Sequence, residues 1–262
     1  MKLTVLVDNC CRIDKYLLAE PALSFFIEIN NKKILFDTGY SDILLKNAFK
    51  LKLDVRQVTE IIFSHRHNDH TGGLYFIRKL YQDSRELGID YNPPTIVAHP
   101  SIFEPQFKLQ IGNIGIPFSK DHLTDLFNIN LSQKPIWIDD GLCFLGEIPR
   151  LDSNKDCIDD SALVYKSKQG LVVITGCSHA GLKNIMEYAK NVMNEKIFSC
   201  VIGGFHLLDK TEKEMNELID YLKTQNIGRV LPCHCCDIKS KIMLAKALPI
   251  GEVCVGDVYE FI

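Results

Sequence analysis

The chain has 262 residues, and 46% of them are hydrophobic, so it can bury a sizeable core without disulfide staples. Its 30 basic and 33 acidic residues leave a formal net charge of −3, which gives no indication of nucleic-acid binding. No apolar run approaches the ~20 residues that span a bilayer. The N-terminus also lacks a signal-peptide cleavage site. We expect a cytoplasmic protein that acts on a small molecule, and nothing in the sequence indicates its oligomeric state.

The first half of the chain predicts an α/β fold. Strand-like apolar runs occur at residues 3–8, 22–29, 33–37 and 58–64. Helical spacing of apolar residues follows the third run at 41–53 and the fourth run at 72–87. In the second of these helices, Leu74, Ile77 and Leu80 fall on one face.

The segment from about residue 88 to residue 135 has a different character. It contains five prolines and the glycine-punctuated sequence IGNIGIP, with only short apolar runs. It is too long for a simple connection. Two interpretations stay open: a lid-like excursion over a functional site, and an irregular surface insertion.

The second half returns to regular alternation. Strands are predicted at 142–148, 161–166, 171–176, 197–203, 229–233 and 252–261. Helices are predicted at 179–195, 211–225 and 238–248, and Thr211 with Glu214 forms a capping-box pattern at the start of the second. Because several strands precede each helix, we expect a layered sandwich with mixed sheets and not a pure βαβ repeat.

The segment FSHRHNDHTGG places three histidines and an aspartate in six consecutive positions, directly after a predicted strand. These residues are His65, His67, Asp69 and His70. Imidazole nitrogens and a carboxylate suit zinc, manganese or non-haem iron. The four side chains can surround one ion or be shared between two. With 8 histidines in the chain, a chance cluster of three is a weak explanation, so the segment predicts a metal site.

Three predicted strands of the second half each end near a histidine. His179 follows LVVITGC, His206 follows the strand that ends in GG, and His234 lies in PCHC. Open sheets bind ligands at the carboxyl ends of their strands, so the three histidines are predicted to join the cluster in one pocket.

Ten cysteines are scattered along the chain, and a disulfide framework is not expected for this size and class. Cys143, Cys200 and Cys254 are expected to be reduced and buried. Four others lie within two residues of a histidine and are the only cysteines that we treat as candidate ligands: Cys177, Cys233, Cys235 and Cys236.

FDTG followed by SHRHNDHTGG resembles the first two motifs of the metallo-β-lactamase superfamily, whose second motif is His-x-His-x-Asp-His. The resemblance implies a single domain over residues 1–262 with a four-layer αββα sandwich of two mixed β-sheets flanked by helices. It also implies a site for one or two divalent metal ions. Zinc is the first expectation, with manganese or iron as alternatives.

By this resemblance, His65 and His67 would bind the first metal, and Asp69 and His70 the second. Asp37, in FDTG, would orient a ligand from outside the metal's own ligand set. A plain turn residue is the alternative for Asp37.

The chain departs from the family pattern in the later motifs. Glu147 stands where the third motif usually has a histidine, so either Glu147 replaces that ligand or the first metal has one protein ligand fewer. TGCSH stands in place of TGD, which gives Cys177 or His179 the position of the usual aspartate. His234 supplies the fifth motif. His206 resembles the extra histidine that some phosphodiesterase branches use as a general acid.

The expected activity is hydrolysis of an ester, phosphoester or lactone by metal-activated water. Asp69 would orient the water, and His206 would protonate the leaving group. GCSHAG, GGFHL and PCHC are also similar to a branch named for dihydropterin/ribofuranosylaminobenzene 5′-phosphate synthase. The alternatives are therefore a condensing enzyme for a pterin and a phosphosugar, and a non-catalytic metal or redox sensor based on the CHCC cluster at 233–236.

Overall fold

The structure, a computed structural model, describes residues 1–150 and 157–262. The chain folds as two compact units. The first unit contains Met1–Gln133 and Cys254–Glu260, and the second contains Lys134–Val253 and Phe261–Ile262. Each unit has its own mixed β-sheet and its own cluster of buried apolar side chains.

The first unit is built on a seven-stranded sheet with the strand order β15-β1-β2-β3-β4-β5-β8. Its strands are β1 (Lys2–Val7), β2 (Ser24–Ile29), β3 (Lys32–Phe36), β4 (Glu60–Ile62), β5 (Thr95–Ala98), β6 (Phe107–Lys108), β7 (Gly112–Asn113), β8 (Asn128–Leu131) and β15 (Val258–Glu260). Its helices are α1 (Ile43–Lys50), α2 (Asn68–Thr71) and α3 (Leu74–Leu87). Strands β6 and β7 form a separate two-stranded hairpin.

Strand directions change within this sheet. Strands β1, β2 and β3 pair antiparallel, whereas β3, β4, β5 and β8 run parallel. The inner strands β4 and β5 are mostly apolar and buried, as expected for strands that are covered on both faces. The edge strand β8 instead alternates exposed asparagines with partly exposed apolar residues. Helix α3 buries Leu74, Ile77 and Tyr81, which recur at helical spacing, and it ends at Gly88 in the left-handed conformation that glycine adopts without strain.

The second unit has a six-stranded sheet with the order β14-β13-β12-β11-β10-β9. Its strands are β9 (Ile136–Asp139), β10 (Leu142–Phe144), β11 (Ala162–Ser167), β12 (Gly170–Thr175), β13 (Phe198–Gly204) and β14 (Val230–Cys233). Its helices are α4 (Leu182–Met193), α5 (Glu212–Thr224) and α6 (Ile238–Ala247). The first four strands pair antiparallel, and β12, β13 and β14 are parallel neighbours.

The predicted mixed sheets and five longer helices are confirmed, including the capping box in which Thr211 and Glu214 bond each other's backbone N–H groups. Short strands were harder to predict. Strands β5 and β8 lie within the segment at 88–135 and belong to the seven-stranded sheet, so this segment is irregular only in part. Among the described residues, no helix has the length and apolarity needed to cross a bilayer.

Candidate functional site

The four predicted ligands of the first unit lie together in the loop and short helix after β4. His67 is the residue before α2, and Asp69 and His70 lie within that helix. His65 Nε2 lies 3.1 Å from His67 Nδ1, and the ring centroids of His65 and His70 are 4.2 Å apart. An Asp69 carboxylate oxygen lies 3.7 Å from His70 Nε2.

The donor geometry of this group fits a divalent cation. Two imidazole nitrogens that bind one zinc ion tetrahedrally, each at about 2.0–2.1 Å, are about 3.3 Å apart. The observed separation of 3.1 Å between His65 and His67 is close to this value. His65 and His70 are buried, whereas His67 and Asp69 are partly exposed, so the group has a side that faces solvent.

Asp37 accepts hydrogen bonds from two neighbours of the histidine loop. It directly follows β3, which pairs in parallel with β4, so Asp37 and Ser64 lie at the same edge of the sheet. The carboxylate is fully buried. It accepts the Ser64 backbone N–H at 2.8 Å and the Ser64 hydroxyl at 2.7 Å, and its second oxygen also lies 2.7 Å from His70 Nδ1.

These hydrogen bonds determine which ring nitrogens bear protons. Because the carboxylate only accepts, His70 Nδ1 is the donor, and Nε2 of the neutral ring keeps its lone pair. The Ser64 hydroxyl donates its proton to Asp37, so its oxygen accepts from His65 Nδ1 at 2.9 Å. His65 Nε2 therefore also keeps its lone pair. A single carboxylate thus leaves the Nε2 lone pairs of two buried imidazoles available to a ligand.

The three predicted histidines of the second unit follow adjacent parallel strands, as the sequence predicts. His179 follows β12, His206 follows β13 and His234 follows β14. One ligand atom from each of Cys177, His179 and His206 lies within 4.8 Å of the other two. The ring centroids of His179 and His206 are 4.4 Å apart.

The backbone at these strand ends adopts a conformation that is uncommon for non-glycine residues. Ser178, His206 and His234 have φ values of 59°, 53° and 50°, and Asp37 in the first unit has 58°. Gly204 O accepts hydrogen bonds from the Ser178 hydroxyl at 2.6 Å and the Thr175 hydroxyl at 2.9 Å. Strain of this kind concentrates at functional sites, where the surrounding structure enforces it.

Cys177 and Cys235 lie beside histidines of the second unit, and the Cys236 thiol lies beside that of Cys235. We call these three residues the thiol cluster. Cys177 Sγ lies 3.6 Å from His206 Nδ1. Cys177 Sγ, Cys235 Sγ and a ring nitrogen of His234 all lie within 4.8 Å of one another. Burial raises the pKa of Cys235 well above its usual value, and the neighbouring Cys177 thiol raises it further.

Burial lowers the pKa of His206, and electrostatic interactions with Lys210 and His234 lower it further. The neutral form of His206 therefore predominates at neutral pH. A neutral imidazole can bind a metal or accept a proton, whereas a proton donor needs the charged form.

A cleft of about 530 Å³ adjoins His179 and His206 within the second unit. Its other lining side chains include Lys183, Lys210 and Tyr221. A volume of this size is typical of small-molecule sites.

Two candidate ligands of the second unit, Glu147 and Cys233, lie outside the groups of histidines and thiols. Glu147 is partly exposed beyond β10, and Cys233 is the buried last residue of β14. Among the described residues of this unit, neither belongs to a group of closely spaced metal-ligand atoms.

Sequence reasoning missed Ser64 and Asp160. Ser64 directly precedes the first histidine of the cluster, but only the parallel pairing of β3 with β4 reveals its contact with Asp37. Asp160 is fully buried before β11 and accepts the Ala180 backbone N–H at 2.8 Å, which anchors the turn that bears His179.

Asp160→Asn should flatten the pH dependence of stability in the metal-free protein. Burial and, secondarily, the charge of Asp159 raise the pKa of Asp160 from 3.8 to about 7. Between these values the native state binds more protons than the unfolded state, so the free energy of unfolding falls as pH rises, by on the order of a few kcal/mol.

Urea unfolding at pH 4.5 and 7.5 measures the change. Asp140→Asn, at an exposed position of the same unit, is the control and should leave the wild-type slope unchanged. An unaltered slope in Asp160→Asn would contradict the assignment.

Comparison with known proteins identifies the family. The family model described as "Metallo-beta-lactamase superfamily" matches residues 18–151. The uncharacterized protein MJ0448 of Methanocaldococcus jannaschii is 31% identical over 260 residues, which cover 92% of this chain and 93% of that protein. The 7,8-dihydropterin-6-methyl-4-(beta-D-ribofuranosyl)-aminobenzene-5′-phosphate synthase of the same organism is 28% identical over 93% of this chain and 90% of its own length.

The solved structure of Tm1679, described as a metal-dependent hydrolase of the beta-lactamase superfamily, is similar over 99% of this chain and 98% of its own. The two share 26% sequence identity with a TM-score of 0.81, which confirms the predicted metallo-β-lactamase fold class. With the family model matching half of the sequence, the conclusion is that the chain belongs to the metallo-β-lactamase superfamily.

Proposed function

We propose that this protein is a metal-dependent hydrolase that uses activated water on an ester, phosphoester or lactone. The observation that supports this most directly is the hydrogen-bond network of Asp37 and Ser64, which leaves lone pairs on Nε2 of both His65 and His70. Buried imidazoles prepared in this way are suited to a cation. Membership of the superfamily and similarity to a protein named a metal-dependent hydrolase support the same reaction class.

The proposed metal ligands of the first unit are His65, His67, Asp69 and His70. Those of the second unit are His179 and His234. These donor types suit zinc, with manganese or iron as alternatives. A bound divalent cation would supply activated water at neutral pH, because coordination lowers the pKa of water from about 15.7 to near 7.

Two side chains have further proposed roles. The Asp69 side chain is 33% exposed, so its carboxylate can accept a hydrogen bond from the attacking water and orient it. His206 is assigned to proton transfer at the leaving group. Because its pKa is lowered, His206 must first take up a proton before it can donate one. The cleft beside His179 and His206 has room for a small-molecule substrate.

A substrate screen with metal-free and metal-loaded protein tests this proposal. Protein purified without added metal is first analysed for its elements, then treated with a chelator and reloaded with zinc, manganese or iron(II). Each form is assayed on phosphodiesters, phosphomonoesters, lactones and pterin compounds. The proposal predicts turnover that is lost on chelation and restored by at least one cation. Equal activity in the chelated and reloaded forms would contradict it. A metal or redox sensor would bind the cation and show no turnover on any compound.

The second candidate function is a condensing enzyme that joins a pterin to a phosphorylated ribofuranosylaminobenzene. The observation that favours it is the 28% identity to a synthase of that name over 93% of this chain. The same screen distinguishes the two activities. A condensing enzyme would turn over the pterin and the phosphorylated compound only when both are present, whereas a hydrolase would act on a single substrate.

We further propose that the segment between β5 and β8 acts as a lid. It is joined to the histidine loop at two points: Asn68 N–H donates to Ile114 O at 2.7 Å, and Arg66 pairs with Glu104 at 3.3 Å. The hairpin between these points presents exposed apolar side chains, including Leu109 at 90% and Phe107 at 70% exposure. Exposed apolar groups on a loop next to a site are suited to cover a bound substrate.

Leu109→Ser should raise KM about threefold to tenfold, which corresponds to the loss of part of one apolar contact of about 1 kcal/mol. Metal content and thermal stability should not change, because the side chain is exposed in the free protein. Steady-state kinetics on a substrate found in the screen measures the effect. Phe49→Ser, at an exposed apolar position on α1, is the matched control. Equal KM values for both variants and the wild type would contradict the lid proposal and indicate that the segment between β5 and β8 is a surface insertion.

A further inference from the structure

The proposed mechanism gives no role to Cys235, although its sulfur lies among several metal-binding groups. Cys235 Sγ, Cys177 Sγ and a ring nitrogen of His234 lie within 4.8 Å of one another, all within the second unit. Other thiols have different surroundings. Cys143 and Cys200 are fully buried within strands β10 and β13, and neither belongs to such a group among the described residues.

Backbone N–H groups point at the sulfurs of the thiol cluster. His206 N–H donates to Cys235 Sγ at 3.2 Å, and Phe205 N–H donates to Cys236 Sγ at 3.4 Å. A neutral thiol is only a weak acceptor, whereas a thiolate accepts strongly. N–H groups directed at sulfur are a means by which proteins tune metal-bound thiolates. The loop after β13 therefore directs one N–H donor at each of these two sulfurs, and Cys235 Sγ also lies 3.5 Å from Cys177 O.

The chain also leaves room for the Cys235 sulfur. A Cβ atom added at Gly204 would lie 2.7 Å from Cys235 Sγ and 2.3 Å from Gly176 O, so no larger residue fits there without a shift. His234, which precedes Cys235, and His206, which lies two residues after Gly204, both have left-handed backbone conformations. Close backbone packing and local strain thus hold the sulfur beside the His234 imidazole.

We propose that Cys235 and Cys177 bind a thiophilic divalent cation as thiolates, with His234 as the third protein ligand. The inference shares metal binding with the proposed function but does not depend on hydrolysis. On binding, the two S–H bonds break, two metal–sulfur bonds form, and both protons pass to solvent. Two thiolates and one imidazole leave a fourth position open on a tetrahedral ion. Thiolate ligands would shift metal preference towards zinc, cadmium and cobalt and away from manganese.

Cobalt(II) is the probe for this site, because thiolate-bound cobalt absorbs through sulfur-to-metal charge transfer. The full-length protein is stripped of metal, kept reduced with a phosphine and titrated with Co²⁺. We expect a charge-transfer band in the wild type and about half of its intensity in Cys235→Ser and in Cys177→Ser. Cys10→Ser, which alters a partly exposed thiol of the first unit, should leave the band unchanged. Circular dichroism and thermal unfolding show whether each variant is folded.

A measurement on the wild type alone covers the case in which a variant fails to fold. Alkylation followed by peptide mass spectrometry should show that Cd²⁺ protects Cys177 and Cys235, while Cys10 reacts with or without the ion. Cobalt binding without the band, or a full band in Cys235→Ser, would overturn the inference. So would a Cys177–Cys235 disulfide in protein purified without reductant, if no band appears after reduction.

The two proposals can fail separately. Metal-dependent turnover without a thiolate band would leave the hydrolase proposal standing and overturn the assignment of Cys235. A thiolate band without turnover on any compound would overturn the hydrolase proposal and leave the assignment of Cys235 standing.

Discussion

His67→Ala should lose bound metal and all metal-dependent turnover while the chain still folds. His67 is one of two imidazoles whose nitrogens lie 3.1 Å apart, so its removal leaves any ion held there with one protein ligand fewer. Loss of a direct ligand costs more than the 10–100-fold in affinity that is typical of groups one contact further from the metal. Turnover in the screen should therefore fall to that of the chelated protein. Elemental analysis and the assay on the same preparation measure both effects.

The fold should tolerate this substitution because alanine keeps the backbone hydrogen bonds of His67. Its carbonyl accepts hydrogen bonds from His70 N–H, Thr71 N–H and the Thr71 hydroxyl, and alanine keeps all three. The imidazole is partly exposed and makes no capping hydrogen bond to α2. His65 is a poorer choice, since its fully buried ring would leave a cavity.

His122→Ala is the matched control for His67→Ala. His122 is an exposed histidine of the same unit whose ring contacts the Ser119 hydroxyl at 2.9 Å. Its carbonyl accepts from Arg78 Nε at 3.0 Å, and alanine keeps that bond, so the substitution should change neither metal content nor turnover. Full metal content in His67→Ala would remove the basis for the ligand assignment.

The positions of the histidines could be predicted because they depend on short-range patterns. A buried strand reads as a continuous apolar run, and the residue after it lies at the edge of the sheet. The runs before His179, His206 and His234 follow this rule, and the structure makes their strands adjacent and parallel.

The rest of the site depends on contacts that no local pattern records. Ser64 bonds the carboxylate of Asp37, 27 positions earlier in the chain, because β3 and β4 happen to be parallel neighbours. The fit of Cys235 against Gly204 likewise needs the packing of β13 beside the loop after β14. Strands β5 and β8 were missed because each has four residues, which is too short for a clear apolar periodicity.

Asp37→Asn should weaken metal binding by about 10–100-fold without unfolding the protein. Asparagine is nearly the same size as aspartate and tolerates the left-handed backbone found at this position, where φ is 58°. Its amide, however, presents N–H donors where the carboxylate presented an acceptor to His70 Nδ1 and the Ser64 hydroxyl. His70 would then carry its proton on Nε2, which blocks that nitrogen as a ligand. The serine hydroxyl would then donate to His65 Nδ1. His65 would therefore also carry its proton on Nε2, which blocks that nitrogen as a ligand.

Ser64→Ala separates this effect on tautomers from the loss of negative charge. It keeps the Asp37 carboxylate and its contact with His70, and removes the hydroxyl that bonds both Asp37 and His65. We therefore expect a smaller loss of affinity than in Asp37→Asn, measured for both variants by competition with a chelating dye. Nitrogen-15 spectra of the metal-free proteins report the tautomers: both rings should change in Asp37→Asn, and only His65 in Ser64→Ala. Wild-type affinity in Asp37→Asn would contradict the role given to this carboxylate. Equal losses in the two variants would assign the effect to the His65 branch alone, because Ser64→Ala leaves the charge and the His70 contact in place.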